Sequence, residues 1–175
     1  MNRLLLIILV VQSLAAAIQA QPAEGQRLQL GGFSLIPPAV LPVKKEIPGF
    51  KFPFFFAPPK DGFAPNLNFV DEPFEAEWDA YVKATLEVIR TSLKADVLTP
   101  AAAFDLPAKL RCTRIVYRSA ATGHELRQTC FLIQLNPGKA IIITFSSLPA
   151  EGDNWDAPIA ESIRTFSTAA APPQK

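Results

Sequence analysis

The chain has 175 residues, 49% of them hydrophobic and 19% charged, with 17 basic side chains against 16 acidic ones. A net charge of +1 without a lysine-rich stripe speaks against nucleic-acid capture, which needs clustered cations to meet phosphates. One histidine and two cysteines leave no cluster with metal-ligand spacing, and no cofactor motif is present: Gly31-Gly32 and Pro137-Gly138 read as turn glycines without a phosphate-cradle pattern.

The first twenty residues have the layout of a secretory signal. Met1-Asn2-Arg3 supplies the positive end, Leu4 to Val11 the apolar run and "QSLAAAIQA" the small-residue exit. Cleavage after Ala20 would leave Gln21 first, and cleavage after Ala17 has the better Ala-x-Ala pattern. The run is broken by Gln12 and Ser13, short of the about 20 apolar residues that a bilayer span needs. The expectation is therefore a secreted or periplasmic product without stable membrane insertion once residues 1–20 are removed. The remainder is long enough for one domain with one core.

Ten of the 17 prolines fall between Pro22 and Pro73. Proline fixes φ and has no donor N–H, so residues 21–48 read as an extended arm with a short strand at Gly32 to Ile36. In "GFKFPFFFAPPKDGFAPNLNF", from Gly49, Phe50, Phe52, Phe54 and Phe56 share one parity and Lys51, Pro53 and Phe55 the other. Because strand side chains alternate faces, four rings are expected to point one way, and the turn Pro58 to Gly62 closes a hairpin onto Phe63 to Val70. That aromatic face is read first as core, with an exposed patch and a ligand-lined cavity as alternatives. Asn66 and Asn68 lie on the opposite parity. They meet water or a second layer, or else join Arg111 and Arg127 as a candidate binding face.

Trp78, Tyr81, Val82, Thr85, Leu86, Ile89 and Leu93 follow the stripe of an amphipathic helix. Strand patterns follow at Val97 to Leu106, Leu110 to Arg118, Glu125 to Leu135 and Lys139 to Ser147. The run "AIIITF" suits a central strand covered on both faces. "DAPIAESIRTFST" then carries Ile159, Ile163 and Phe166 on one helical face, with Asp156 as cap and Pro158 in the first turn. The tail, residues 169–175, is expected to be disordered. Short turns between consecutive strands require antiparallel pairing, so the domain, residues 49–168, is of the α+β class.

If Arg118 faces His124 across a five-residue loop, paired positions sum to 242, and so do 112 and 130. Cys112 and Cys130 would then face each other at disulfide distance, which an oxidising compartment favours. A two- or four-residue loop makes the sum odd and sends the sulfurs to opposite faces. His124 reads as a solvated turn residue. The carboxylates Asp61, Glu72, Glu75, Glu77 and Asp79 crowd one region, but helix-start and turn positions account for each.

The segments "PPKDGFAPNLNFVDEPF", "WDAYVKATLEVI", "LPAKLRCTRIVYRS", "ELRQTCFLIQL", "KAIIITFSS" and "IAESIRTF" together resemble the PsbP-like family. That family includes the extrinsic photosystem II protein, the yeast Ran-binding Mog protein and exported bacterial proteins of the DcrB and LpqN type. The likeness runs from Phe56 to Ser167 through Asn66 and Asn68, the Tyr81 helix, Leu106-Pro107-Ala108, Arg127-Gln128, the strand ending at Thr144, and Phe166. It implies an α/β/α sandwich around a mainly antiparallel sheet and a protein that binds other proteins or envelope components, with no shared catalytic residues. This chain lacks the anchor cysteine of the lipoprotein members, and its cysteine pair is not a family mark. The expected function is an exported, non-catalytic binding or accessory domain whose partner is a protein or an envelope component. A hydrophobic-ligand carrier is the alternative, with a hydrolase of unrecognised type behind it.

Overall fold

The computed structural model describes residues 25–121 and 123–168; the expected signal peptide and the expected disordered tail lie outside the described residues. In chain order come β1 (Leu28–Gln29), β2 (Phe33–Leu35), β3 (Val43–Lys45), β4 (Phe54–Phe56), β5 (Asn66–Pro73) and α1 (Trp78–Thr91). They are followed by β6 (Asp96–Ala103), β7 (Cys112–Ala121), β8 (His124–Asn136), β9 (Lys139–Ser147), α2 (Gly152–Arg164) and β10 (Ser167–Thr168). Seven strands form one antiparallel sheet in the order β3-β4-β5-β9-β8-β7-β6, and β1-β2-β10 form a small second sheet. The β-branched run of β9 is central, paired with β5 on one side and β8 on the other.

Alternation along β8 and β9 sorts the apolar side chains into two layers. Phe131, Ile133, Ile141, Ile143 and Phe145 face α2 and the N-terminal segment, with Ile159, Ile163 and Phe166 packed on them. Ile115, Cys130, Leu132, Ala140 and Ile142 face α1 and meet Trp78, Tyr81, Val82 and Ile89. Thr85 is fully buried in that helix face, and its hydroxyl donates to the Tyr81 carbonyl at 3.0 Å, which satisfies it within the helix. The architecture is thus an α/β/α sandwich around an antiparallel sheet.

Residues 25–48 are more than an arm. Leu30, Phe33, Leu35 and Leu41 are buried in the α2-side core, and β2 pairs with β10 beyond the last helix. The extended conformation expected from the prolines is present, but its apolar side chains complete the core.

The phenylalanine ribbon does not present four rings to one side. Regular pairing begins only at Phe54, because Pro53 lacks a donor and the chain at Lys51-Phe52 bends. Phe52 and Phe55 therefore join Phe69 in the α2-side layer, where Phe55 lies opposite Leu67. Phe54 and Phe56 turn to the other face, stack at 6.1 Å, and take Phe50 edge-on to Phe54 at 5.0 Å. Each such pair adds about 0.5–1.5 kcal/mol beyond the burial itself.

The expected disulfide is absent, and the reason is parity. A two-residue loop joins β7 to β8, so Ala121 faces His124 and the index sum is 245 rather than 242. Cys112 lies opposite Ile133 and Cys130 opposite Ile115. The cysteines belong to different layers and stand three positions apart along the ladder, about 10 Å at strand rise, beyond disulfide reach. Burial pushes the Cys130 thiol up to about 12 and raises Cys112 as well, so neither is a ready nucleophile. Mass spectrometry without reduction should find two free thiols that resist a bulky alkylating reagent until the fold is denatured. A native mass lower by two hydrogens would contradict this register.

Candidate functional site

The four residues of the expected binding face do not converge. Asn66 is 4% exposed, lies opposite Ser146, and its Nδ2 donates to the Ala64 carbonyl at 3.1 Å. Asn68 lies two positions on, half-buried opposite Thr144. Beside them Gln128 accepts from Ser119 Oγ at 2.6 Å and donates to Ser146 Oγ at 3.3 Å. The Asn pair thus edges a buried, mutually satisfied polar network on the α1 face of the sheet.

Arg127 lies on the other face and is a structural clamp. Its guanidinium donates through Nη1 and Nη2 to the two carboxylate oxygens of Asp156, both at 2.9 Å, and Arg114 Nη2 adds a third bond at 2.9 Å. Asp156 was expected as a helix cap, but α2 starts at Gly152, a turn earlier, so Asp156 sits inside the helix and ties it to β7 and β8. Gly152 is there because of space, not conformation. A Cβ at that position would stand 2.2 Å from Arg127 Cδ.

Arg111 lies just before β7 on the α1 side, where Nη2 meets the Asp79 carboxylate at 3.1 Å. This pair stands on the rim of an open groove of about 750 Å³ between the start of α1 and the chain from Ala101 to Thr113. Trp78, Val82, Phe104, Leu106 and Cys112 supply its apolar lining, and Asp105 and Lys109 its remaining charges. Sequence reasoning found Arg111 but missed the groove, because the chain between two runs read as strands turns through a 3₁₀ helix at Pro107–Lys109. The left-handed backbone at Lys109, φ 54°, was the unreadable element. None of the phenylalanines from Phe50 to Phe56 lines this groove.

The groove can hold a ligand, but it offers little with which to react. Its charged rim pair is mutually neutralised and its one thiol is burial-raised. The carboxylates that crowd the sequence disperse: Glu72 accepts from the Tyr81 hydroxyl at 2.8 Å, Asp79 holds Arg111, and Asp61, Glu75 and Glu77 are exposed. His124 packs against Phe63 with ring centroids 6.0 Å apart. Among the described residues no three His, Cys, Asp or Glu side chains converge as metal ligands.

Two outcomes follow for the clamp. Gly152→Ala must displace a held guanidinium and should cost about 1–3 kcal/mol in denaturant unfolding. In an Arg127→Ala background the same change should cost far less, a coupling that a double-mutant cycle reads directly. The clamp also makes stability acid-sensitive. Burial raises the Asp156 carboxyl, but its bonds to Arg127 and Arg114 outweigh this and hold it below the ordinary 3.8. Asp71 is likewise held down by Lys51 and Lys139 against the opposing effect of burial. With folded values below unfolded ones, protons favour the unfolded chain, so this stability is complete above the unfolded value and disappears as pH falls through the folded one. Unfolding free energy should decline as pH drops below about 4, and Asp156→Asn should lower the plateau and flatten the decline.

No family model matches the chain, and no curated protein matches it either. Solved structures do. Cyanobacterial PsbP (CyanoP) from Synechocystis superposes with TM-score 0.59 at 12% identity, covering 89% of this chain and 99% of that one. A Pseudomonas aeruginosa protein of unknown function, described as a putative regulator, gives 0.57 at 15% identity over 69% and 83% of the two chains. LpqN of Mycobacterium tuberculosis, involved in cell envelope biogenesis, gives 0.51 at 10% identity over 83% of each. The strand order, the helix on each face of the sheet and these superpositions agree: the chain has the PsbP-like fold.

Proposed function

We propose that this chain is an exported, non-catalytic binding or accessory domain of the cell envelope or extracellular space, and that its partner docks in the groove between α1 and β6. The observation that carries the proposal is the groove itself, with an apolar floor and a charged rim whose members pair with each other. Such a surface recognises by shape and by desolvation, with the rim ion pair setting orientation. The signal-like N-terminus supports export, and among the described residues no helix is long and apolar enough to cross a membrane. The LpqN likeness points the same way, to an envelope setting. The partner is a protein or an envelope component.

Affinity capture from the envelope fraction, run in parallel with Arg111→Glu and with Arg90→Glu on the far side of α1, tests the assignment. Both side chains are exposed, so both variants should fold. The captured partner should fall several-fold with Arg111→Glu and persist with Arg90→Glu. Equal capture by the two variants, or turnover in a general hydrolase panel that Arg111→Glu abolishes, would defeat the proposal.

A further inference from the structure

β1 and β2, near the start of the described residues, close on β10, near their end. The three strands form one sheet, with Ser34 opposite Ser167 and Phe33 opposite Thr168. Ile36 N–H donates to Thr165 Oγ1 at 2.7 Å, Ser162 Oγ donates to the Ile36 carbonyl at 2.6 Å, and Arg27 Nη1 donates to the Thr165 carbonyl at 2.8 Å. These bonds join residues 126 to 138 positions apart in the chain. Phe33 stacks on Phe166 and meets Phe52 edge-on, and with Leu30 and Leu35 it is buried in the α2-side core. Pro37, Pro38 and Pro42 connect this strap, residues 27–36, to β3. Strands of two and three residues do not hold a sheet by themselves. The strap therefore finds its hydrogen-bond partners only when α2 and β10, the last elements in chain order, are formed. Until then Phe52 and Phe166 lack the ring that covers them, and the α2-side layer of a marginally stable domain stays open.

The distance from the signal-like segment gives this dependence a use. Leu28 stands eight residues after Ala20. A chain threaded across a membrane about 40–45 Å thick needs about 13 extended residues at roughly 3.3–3.6 Å each. Counted from Gln21, that stretch runs to Phe33, so the strap is in transit while the signal is held and is out of reach of α2 on the departure side. We propose that residues 27–36 are a strap that closes only after export. The chain then leaves unfolded and completes its core once its start and its end stand on the same side of the membrane. The purpose assigned to the strap rests on the export reading above; its late closure stands on the long-range contacts alone.

Folding kinetics and native-state hydrogen exchange of the purified chain test the late closure. Phe33→Leu should speed unfolding about tenfold and leave refolding within about twofold, because contacts made after the transition state act on the unfolding rate. Ile142→Val, in the central strand β9, should slow refolding about threefold. The Ile36 amide should exchange through an opening that leaves the β9 amides protected. Refolding slowed by Phe33→Leu as much as by Ile142→Val, or an Ile36 amide that exchanges only together with β9, overturns the proposal. The timing is read with the full chain, residues 1–175, engaged on inverted bacterial membrane vesicles and arrested by withdrawing ATP. An added protease should digest the arrested chain about tenfold or more faster than the free folded chain. Digestion at equal rates overturns the proposal. Vesicles that never engage the chain overturn the export reading, and with it the strap's use, even where the folding kinetics come out as expected.

Discussion

The two-residue turn between β7 and β8 is the constraint on which the rest of the structure depends. Strand side chains alternate with a period of two, so a register shift of one residue exchanges the entire inner and outer sets. With Ala121 opposite His124, Ile115 and Cys130 are committed to the α1 layer and Phe131 and Ile133 to the α2 layer. Gly123 supports the turn with φ +83°, a left-handed conformation that glycine adopts without steric cost. β9 then inherits the assignment from β8, and β5 inherits it from β9. Everything that packs on either face is placed by those two loop positions.

What was legible in the sequence is what repeats over many residues. The stripe from Trp78 to Ile89 spans more than three turns, and the helix formed over it with the expected side inward. The aliphatic run of β9 suited a central strand, and its ends were read to the residue. Features that hang on one residue were not legible. Phe50 to Phe56 looked like one alternating strand, but a proline removed the ladder bond that keeps the alternation, and the rings divided between two faces. The cysteine pairing turned on loop length, where an odd count and an even count give opposite answers from the same letters. The N-terminal segment was correctly read as extended. Its place in the core follows from tertiary packing of Phe33 against Phe52 and Phe166, at 5.4 and 5.2 Å, which no local pattern reports.

The Arg127 clamp shows how a charged pair can add to apolar packing in setting a helix position, beside the contact of Trp155 with Phe145. Ile159, Ile163 and Phe166 hold the C-terminal half of α2 against the sheet. Its N-terminal half begins at a glycine and has no side-chain cap bond. There the bidentate Arg127–Asp156 contact, with Arg114 alongside, fixes both the distance and the rotation of the helix. A glycine at position 152 is the complement of that contact, since only the absence of a Cβ lets the backbone come so close to the guanidinium. The candidate site residue Arg127 is thereby explained by the fold rather than by a ligand.

The same logic locates the surface left for interaction. Both faces of the sheet carry core layers, and the buried polar groups of the α1 layer are engaged with one another through Gln128 and Ser119. β3 is guarded by lysines, and β5, β9, β8 and β7 are paired on both sides. Among the described residues of the main sheet, that leaves β6 and the turn after it. Here the ladder is interrupted, Lys109 takes a left-handed conformation, and the gap between the strand and α1 opens into the groove. Irregular backbone costs stability wherever it occurs. Its concentration at this edge of the main sheet, next to the rim where Arg111 and Asp79 meet across two elements, suits the proposed recognition surface better than it suits a core.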